Sequence, residues 1–290
     1  MTESQPLISI LMPYYNSDEF LRAAIQCVRE QTYKNWQLVV VDDGSTKALP
    51  NTVLDTFADS RIQLVRHETN RGVGDARNTA ALHSKGQFLL PLDSDDLLAP
   101  DYIERTLKAL QDEGASAAHS DVKIIGSFEM VYKPSANLKE IFSGQFPHYT
   151  FLMKREVFDA VGGYNTQSSV EDTEFWISAI EAGTKFAYVP APLYIYRKHP
   201  GSFSSNRQTE MFKDFFAAMS KHHTSVAAHL PGILEGWIRI EEHRLQQRIA
   251  DEKLAAELSH LEKEFKSLKE RFDLLERKVS RNEQILSSIP

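Results

Sequence analysis

The feature that most constrains this chain is a repeated unit: a short apolar run that stops at a polar cluster and is followed by helical spacing. Leu7 to Met12 is such a run, ending at Pro13-Tyr14-Tyr15-Asn16. Residues 18–31 then place Phe20, Leu21, Ala24, Ile25 and Val28 on one helical face, with Ser17 or Asp18 as the capping residue. A second run, 36–41, closes at Asp42-Asp43-Gly44-Ser45. A helix is expected over 50–58, a third strand over 62–66 and a helix over 74–84. A fourth strand, 88–92, closes at Asp93-Ser94-Asp95-Asp96. Strands alternating with helices predict a parallel sheet with crossover helices. In such sheets ligands sit beyond the carboxyl ends of the strands. The clusters after the first, second and fourth runs are therefore expected on one rim.

Beyond Pro100 the pattern loosens. A helix is expected over 102–110, short strands and loops over 115–155, a turn over 162–165 and a helix over 171–182. An extended stretch, 186–196, is interrupted by two prolines. From Leu254 onward Leu258, Leu261, Phe265, Leu268, Phe272, Leu275 and Val279 follow one another in alternating steps of three and four, a heptad seam. The spacing predicts a coiled coil over 254–286 and self-association through it. A long amphipathic helix packed on its own domain would show a similar pattern.

The composition narrows the function classes. With 42% hydrophobic and 25% charged residues the chain is an ordinary globular one, able to form a sizeable core. Its single cysteine, Cys27, lies in an apolar helical pattern and reads as a buried hydrophobe. It allows no internal disulfide, which fits a reducing, cytoplasmic setting. No window is long and apolar enough for a membrane span, and the N-terminus lacks a signal-peptide core. A net charge of -7 argues against nucleic acid as a main partner, because that usually requires a basic face. An acidic protein that handles phosphates needs a cation or a local basic group.

Several motifs supply candidates, each with a plain alternative. Asp93 and Asp95, one residue apart at a strand end, can hold a hard divalent cation through oxygen ligands, although many such pairs are solvated turns or caps. Asp42 can accept a hydrogen bond from a base or ribose, or belong to an ordinary Asp-Gly turn. Asn70 to Asn78 is a glycine-containing loop that opens a helix, where phosphate is favoured, and Arg71 and Arg77 are its basic groups. Glu171-Asp172 at a helix start either stabilises the helix dipole or provides a general base. His199, in the stretch Tyr196-Arg197-Lys198-His199, either helps to hold a cation or is a simple loop histidine.

Taken together and in order, Pro13-Tyr14-Tyr15-Asn16, Asp42-Asp43-Gly44-Ser45, Asn70-x-Gly72 with Ala76-Arg77-Asn78, Asp93-Ser94-Asp95-Asp96, Gly162-Gly163-Tyr164 and Glu171-Asp172 resemble the family 2 glycosyltransferases. The resemblance covers about residues 6–204. It implies an α/β fold of the GT-A type, a nucleotide-binding fold with a mostly parallel mixed sheet, followed here by a C-terminal helical, coiled-coil extension. On this basis residues 1–205 form the transferase domain, with about 1–100 binding the nucleotide-sugar and 101–205 facing the acceptor, and 206–290 form the helical extension. The implied activity is inverting transfer of a sugar from a nucleotide-sugar, often a UDP-sugar, to an acceptor hydroxyl, with Mn²⁺ or Mg²⁺. Pro13, Tyr15 and Asp42 would contact the nucleoside. Asn70 and Arg77 would lie beside the nucleotide. Asp93, Asp95 and His199 would serve the metal and the donor phosphates, with Asp95 the preferred direct ligand. Asp172 would be the catalytic base.

The chain lacks the membrane spans and the Gln-x-x-Arg-Trp signature of processive synthases, which favours single-sugar transfer. The family suggests a glycan or lipid-linked glycan acceptor and a place at the inner face of the membrane. A sugar-nucleotide pyrophosphorylase would need a glycine-rich basic loop where Pro13 to Asn16 stands. A catalytically inactive scaffold assembling partners through the coiled coil is the alternative, and the joint presence of Asp93, Asp95 and Asp172 speaks against it.

Overall fold

The structure is a computed structural model. It describes residues 5–239 except 48–49, 135, 144–149, 200 and 202–207, and beyond them 242, 245–247, 249, 251–253, 263 and 266. The strands are β1 (Ile8–Tyr14), β2 (Trp36–Asp42), β3 (Ile62–Arg66), β4 (Phe88–Pro91), β5 (Leu97–Leu98), β6 (Ala117–Gly126), β7 (Met130–Tyr132), β8 (Leu152–Lys154) and β9 (Phe186–Lys198). The helices are α1 (Asp18–Arg29), α2 (Asn51–Leu54), α3 (Val73–Leu82), α4 (Tyr102–Asp112), α5 (Leu138–Phe142), α6 (Arg155–Val161), α7 (Glu171–Glu181) and α8 (Gln208–Lys221). The strands form one mixed sheet in the order β3-β2-β1-β4-β8-β6-β9-β5, with β7 paired to β6. Parallel pairing, β3 to β4 and β6 to β9, carries most of the paired length.

Burial explains the central position of β1, every residue of which is buried, as expected of a strand covered on both faces. The outer strand β3 is only partly buried. The chain order reverses where β1 meets β4, so the loops after these strands flank a topological switch point, the usual ligand crevice of such sheets. The amphipathic helices α1 and α4 pack on one side: Leu21, Ile25 and Val28 of α1 and Ile103, Leu107 and Leu110 of α4 share a core with Ile10, Leu38 and Leu90. On the other side Ala76 and Ala80 of α3 lie with Leu11, Val39 and Trp176. Cys27 is buried, and burial pushes its thiol up to about 12, so it acts as a small apolar group.

Several local expectations need correction. The helix expected over 50–58 is the short α2, and Ala58 has a positive φ of 44°, which no helix accommodates. The stretch expected to be broken by prolines is one continuous strand. Pro190 and Pro192 fall where the β6–β9 register shifts between Ser120 and Val122, and a bulge tolerates residues with no N–H to offer. The strand β1 runs through Pro13 to Tyr14. Within the stretch 115–155, expected to hold short strands and loops, Leu138–Phe142 forms the helix α5, whose start Asn137 caps by accepting the Glu140 N–H, and α6 follows it where no element is expected.

The chain divides into a compact unit through Ile233 and a second one from Leu234. The heptad seam at 258–279 lies outside the described residues. Within the first unit, Phe215 of α8 and Ile233 share a buried cluster with Ile141, Phe142, Val170 and Ile177. The apolar partners of α7 thus extend well past residue 205. A chain ended at 205 is expected to lose cooperative unfolding, since deleting one large core side chain alone costs about 3–5 kcal/mol. A chain ended at 239 keeps it. A thermal melt of the two truncations checks this.

Candidate active site

The rim begins with the loops after β1 and β2, which are tied together. Asn16 adopts a positive φ of 49°, its N–H donates to Ser45 Oγ (3.0 Å), and its Oδ1 accepts from the N–H groups of Thr46 (3.1 Å) and Lys47 (2.9 Å). The two adjacent aspartates have separate duties. Asp42 is fully buried and its Oδ1 accepts the Ser45 N–H at 2.9 Å. Its Oδ2 is buried with no hydrogen-bond donor among the described residues, although Arg66 Nε lies 3.4 Å away. Asp43 instead holds the loop after β3. It accepts from the N–H groups of Arg71 (2.9 Å) and Gly72 (2.8 Å) and pairs with buried His67 (2.7 Å), which reaches on to Thr79 (2.9 Å). Gly44, directly after them, has a φ of 72°, and a Cβ there would meet the Thr69 backbone at 2.5 Å. Pro13 is buried, whereas Tyr15 and Asn70 are exposed on the rim.

Arg77 is the hub. It is buried on α3, and its two terminal nitrogens donate to Asp93 Oδ1 (2.6 Å) and Glu171 Oε1 (2.5 Å). Its guanidinium also lies 5.5 Å from the centre of the buried Tyr164 ring. Burial works against the Arg77 charge, but Asp93 and Glu171 outweigh it and keep the group protonated. The next residue, Asn78, grips the backbone of Tyr164 in both directions, at 2.8 Å each way. Gly163 permits this approach: its φ is 85°, and a Cβ would lie 2.7 Å from Asn78 Oδ1. The Ala76-Arg77-Asn78 and Gly162-Gly163-Tyr164 motifs are thus two halves of one joint that brings α3 against the start of α7.

The acidic cluster after β4 divides in the same way. Asp93, Asp95 and Asp96 gather their carboxylates within 4.8 Å. Asp96 is fully buried and accepts from the Tyr194 hydroxyl and the Arg197 N–H (2.8 Å), so it anchors the end of β9. Burial raises its carboxyl well above the ordinary range. Asp93 and Asp95 remain partly open. Asp95 Oδ2 lies 3.1 Å from His199 Nε2, while His199 Nδ1 accepts the Gly201 N–H (3.2 Å). Burial and the neighbouring Asp93 charge push Asp95 up, and His199 opposes them. Two partly open carboxylates that repel one another, with an imidazole beside them, form an oxygen-rich donor set suited to Mg²⁺ or Mn²⁺.

At the head of α7 the paired acids also separate. Glu171 is buried on Arg77; burial, with the Asp172 charge, lifts it to about 7. Asp172 is half-buried, its Oδ1 accepts the Thr173 N–H (2.6 Å), and burial raises its carboxyl. The approach to α7 is held from α8. Asp214 accepts both the Ser169 N–H (2.8 Å) and its hydroxyl (2.5 Å), and Lys221 donates to Glu174 (2.5 Å). Sequence reasoning missed Tyr194, Asp214 and Lys221. None lies in a recognisable motif, and only the folded chain brings them to the site.

The model of the family described as "Glycosyl transferase family 2" matches residues 9–169, more than half of the chain. The chain belongs to glycosyl transferase family 2. Among its relatives is the Escherichia coli UDP-Glc:alpha-D-GlcNAc-diphosphoundecaprenol beta-1,3-glucosyltransferase WfgD, 38% identical over 127 residues. That alignment covers 44% of this chain and half the length of WfgD. Among solved structures, S. aureus TarS 1-349 in complex with UDP-GlcNAc has a TM-score of 0.65 at 18% identity, covering 81% of this chain and 72% of that one. The mannosyltransferase PcManGT from Pyrobaculum calidifontis, in complex with GDP-Man and Mn2+, has a TM-score of 0.61 at 21% identity, covering 81% and 74%. At these identities the structural likeness is one of fold, and it is the GT-A fold. In this family 2 chain Arg77 joins Asp93 to Glu171 by direct ion pairs, Asp95 lies beside Asp93, and Asp172 follows Glu171 in the chain. Asp42 lies on the neighbouring β2 rim.

Proposed function

We propose that this chain transfers a single sugar, with inversion, from a UDP-sugar to a hydroxyl of a glycan acceptor, in glycan or cell-surface polysaccharide synthesis. The observation that carries the reading is the division of labour at Arg77, which holds Asp93 and Glu171 and leaves Asp172 half-buried beside them. A base with a raised pKa, close to the charged end of the donor site, suits removal of a proton from an attacking hydroxyl. Asp42 Oδ2, buried and lacking a donor, suits an N–H of the nucleoside base. Tyr15 would flank the base, and Asn70 and Pro13 would border it. Asp93, Asp95 and His199 would hold Mn²⁺ or Mg²⁺, which when bound supplies countercharge for the diphosphate. The name of WfgD supports a UDP-sugar donor and a diphosphoundecaprenol-linked acceptor, and in this reading such an acceptor would be met at the inner face of the membrane. No helix among the described residues is long and apolar enough to cross a bilayer.

Hydrolysis of a panel of UDP- and GDP-sugars, with Mn²⁺ and with chelator, tests the reading. Failure to bind or turn over any nucleotide-sugar overturns it. Asp95→Ala is expected to weaken Mn²⁺-dependent UDP binding by about tenfold or more, the loss of one charged ligand at about 1.5–3 kcal/mol. Calorimetry showing equal UDP affinity with and without Mn²⁺ removes the metal from the reading. Self-association through the seam at 258–279 is part of the same proposal. Light scattering is expected to give more than one chain per particle for the full protein and a monomer for a chain ended at 239.

A further inference from the structure

We propose that the β6–β7 hairpin is a membrane-contacting edge, which sets the site beside an anionic lipid surface. The hairpin turn carries an unusual group of exposed apolar side chains: Phe128 is 45% exposed, Met130 45% and Val131 54%. They occupy the turn and the strand β7, which lies off the main path of the sheet and pairs with β6 alone. Among the described residues none covers these side chains fully, and they lie outside the donor site described above.

The surroundings indicate the partner. The whole chain is acidic, at -7, yet the hairpin and the strand end beside it carry Lys123, Lys133 and Lys198 against Glu129 and Asp121, while the Arg197 guanidinium turns away to lie 4.4 Å from the Phe20 ring. Val131 is paired with Lys123 across β6–β7, so an apolar and a basic side chain share one face. Lys198 Nζ lies 5.6 Å from the Phe128 ring, and Lys133 Nζ 3.9 Å from the Tyr188 ring. The Tyr188 hydroxyl in turn donates to Asp121 (2.5 Å), which occupies one of the two local acids. Apolar side chains interleaved with cations match an interface of acyl chains under anionic headgroups. A soluble acidic partner would satisfy the lysines and leave Phe128, Met130 and Val131 in water.

The edge is also coupled to the site. The Ser127 N–H and hydroxyl both donate to the Lys198 carbonyl, at 3.1 and 3.2 Å, and Lys198 directly precedes His199. Gly126 makes this closure possible: its φ is 106°, and a Cβ would lie 2.2 Å from the same carbonyl. A bilayer touching the hairpin would therefore lie next to the strand end that carries His199, where a lipid-linked acceptor has to arrive.

The inference rests on the membrane-linked acceptor proposed above, but its test needs no turnover. The full chain is floated with phosphatidylcholine vesicles alone and with vesicles containing about a third phosphatidylglycerol. Wild type is expected to bind the anionic vesicles and to lose most binding in pure phosphatidylcholine or at high salt. The double variant Phe128→Ser, Val131→Ser should lower the partition coefficient by about tenfold or more, and Lys123→Gln by about fivefold. Both replace surface side chains, and an unchanged thermal melt confirms that they fold. No vesicle binding by wild type overturns the proposal, as does equal binding by the double variant or equal binding to neutral vesicles. Light scattering without lipid is the second measurement. A wild-type oligomer dissociated by the double variant reassigns the edge to pairing between copies and also overturns it. Donor hydrolysis without vesicle binding sinks the hairpin alone, and vesicle binding without donor hydrolysis sinks the transferase reading alone.

Discussion

Replacing Asp172 by asparagine is expected to cut turnover by about a hundredfold or more while leaving UDP affinity nearly unchanged. A positioned general base contributes about a hundred- to ten-thousand-fold, and an amide cannot take the proton. The substitution is a narrow one. Asparagine has nearly the same shape, and its carbonyl oxygen can still accept the Thr173 N–H that Asp172 Oδ1 accepts at 2.6 Å, so the first turn of α7 keeps its bond. In the proposed reading the donor is held by other residues, Asp42, Asp93 and Asp95. Loss of the Asp172 charge also removes a cause of the raised Glu171 carboxyl, so Glu171 should titrate lower than about 7 in the variant. Single-turnover rates with UDP titrated by calorimetry check both halves. A variant that keeps more than about a tenth of the wild-type rate rules Asp172 out as the base. If Glu171→Gln then proves the more damaging change, the proton goes to Glu171.

The contrast between Asp172 and Glu171 also marks the boundary of what the sequence makes legible. The alternation of apolar runs with helical spacing is sufficient for β1, β2 and β4 and for the helices α1 and α3, because a strand covered on both faces leaves a continuous apolar run. The motifs located the rim, since each polar cluster directly follows a strand. Their internal assignments were not readable. Asp42 and Asp43 are chemically identical neighbours, yet one is buried with an open oxygen and the other staples Arg71 and Gly72. Asp95 and Asp96 differ likewise, one beside His199 and the other under Tyr194. In a pair of adjacent acids the partners decide the role, and apart from Ser45 those partners lie 24 to 104 residues away in the chain. Asp214 and Lys221 were invisible for the same reason. They act on α7 from α8, beyond the last motif, across separations of 45 and 47 residues. Pro190 and Pro192 misled in the opposite direction, because a register shift opposite them absorbs the missing N–H groups.

Arg77→Met should be the most destabilising single change in the site, and its cost should depend on pH. Arg77 is buried between Asp93 and Glu171, and Glu171 is itself buried. Removing one partner of a buried ion pair typically costs about 3–5 kcal/mol, because the other charge is left uncompensated. Glu171 can escape part of that cost by taking a proton. Its folded-state pKa is already raised to about 7 with Arg77 present, by burial and by Asp172, and without Arg77 it must rise further. A carboxyl whose folded pKa lies above its unfolded value binds more protons when folded, so its contribution is full below the unfolded value of about 4.3 and fades as pH rises through the folded value. In wild type that loss runs from about 4.3 to about 7. In Arg77→Met it continues above 7, so the deficit relative to wild type should be small at acidic pH and grow toward pH 8. Adding Glu171→Gln to the variant removes the titrating group. The double variant should recover part of the stability at high pH and lose the extra pH dependence. Urea denaturation of wild type, Arg77→Met and the double variant at three pH values measures this. A deficit that is equal at acidic and alkaline pH would mean that Arg77 stabilises the fold through its packing on Tyr164 and not through the Glu171 charge.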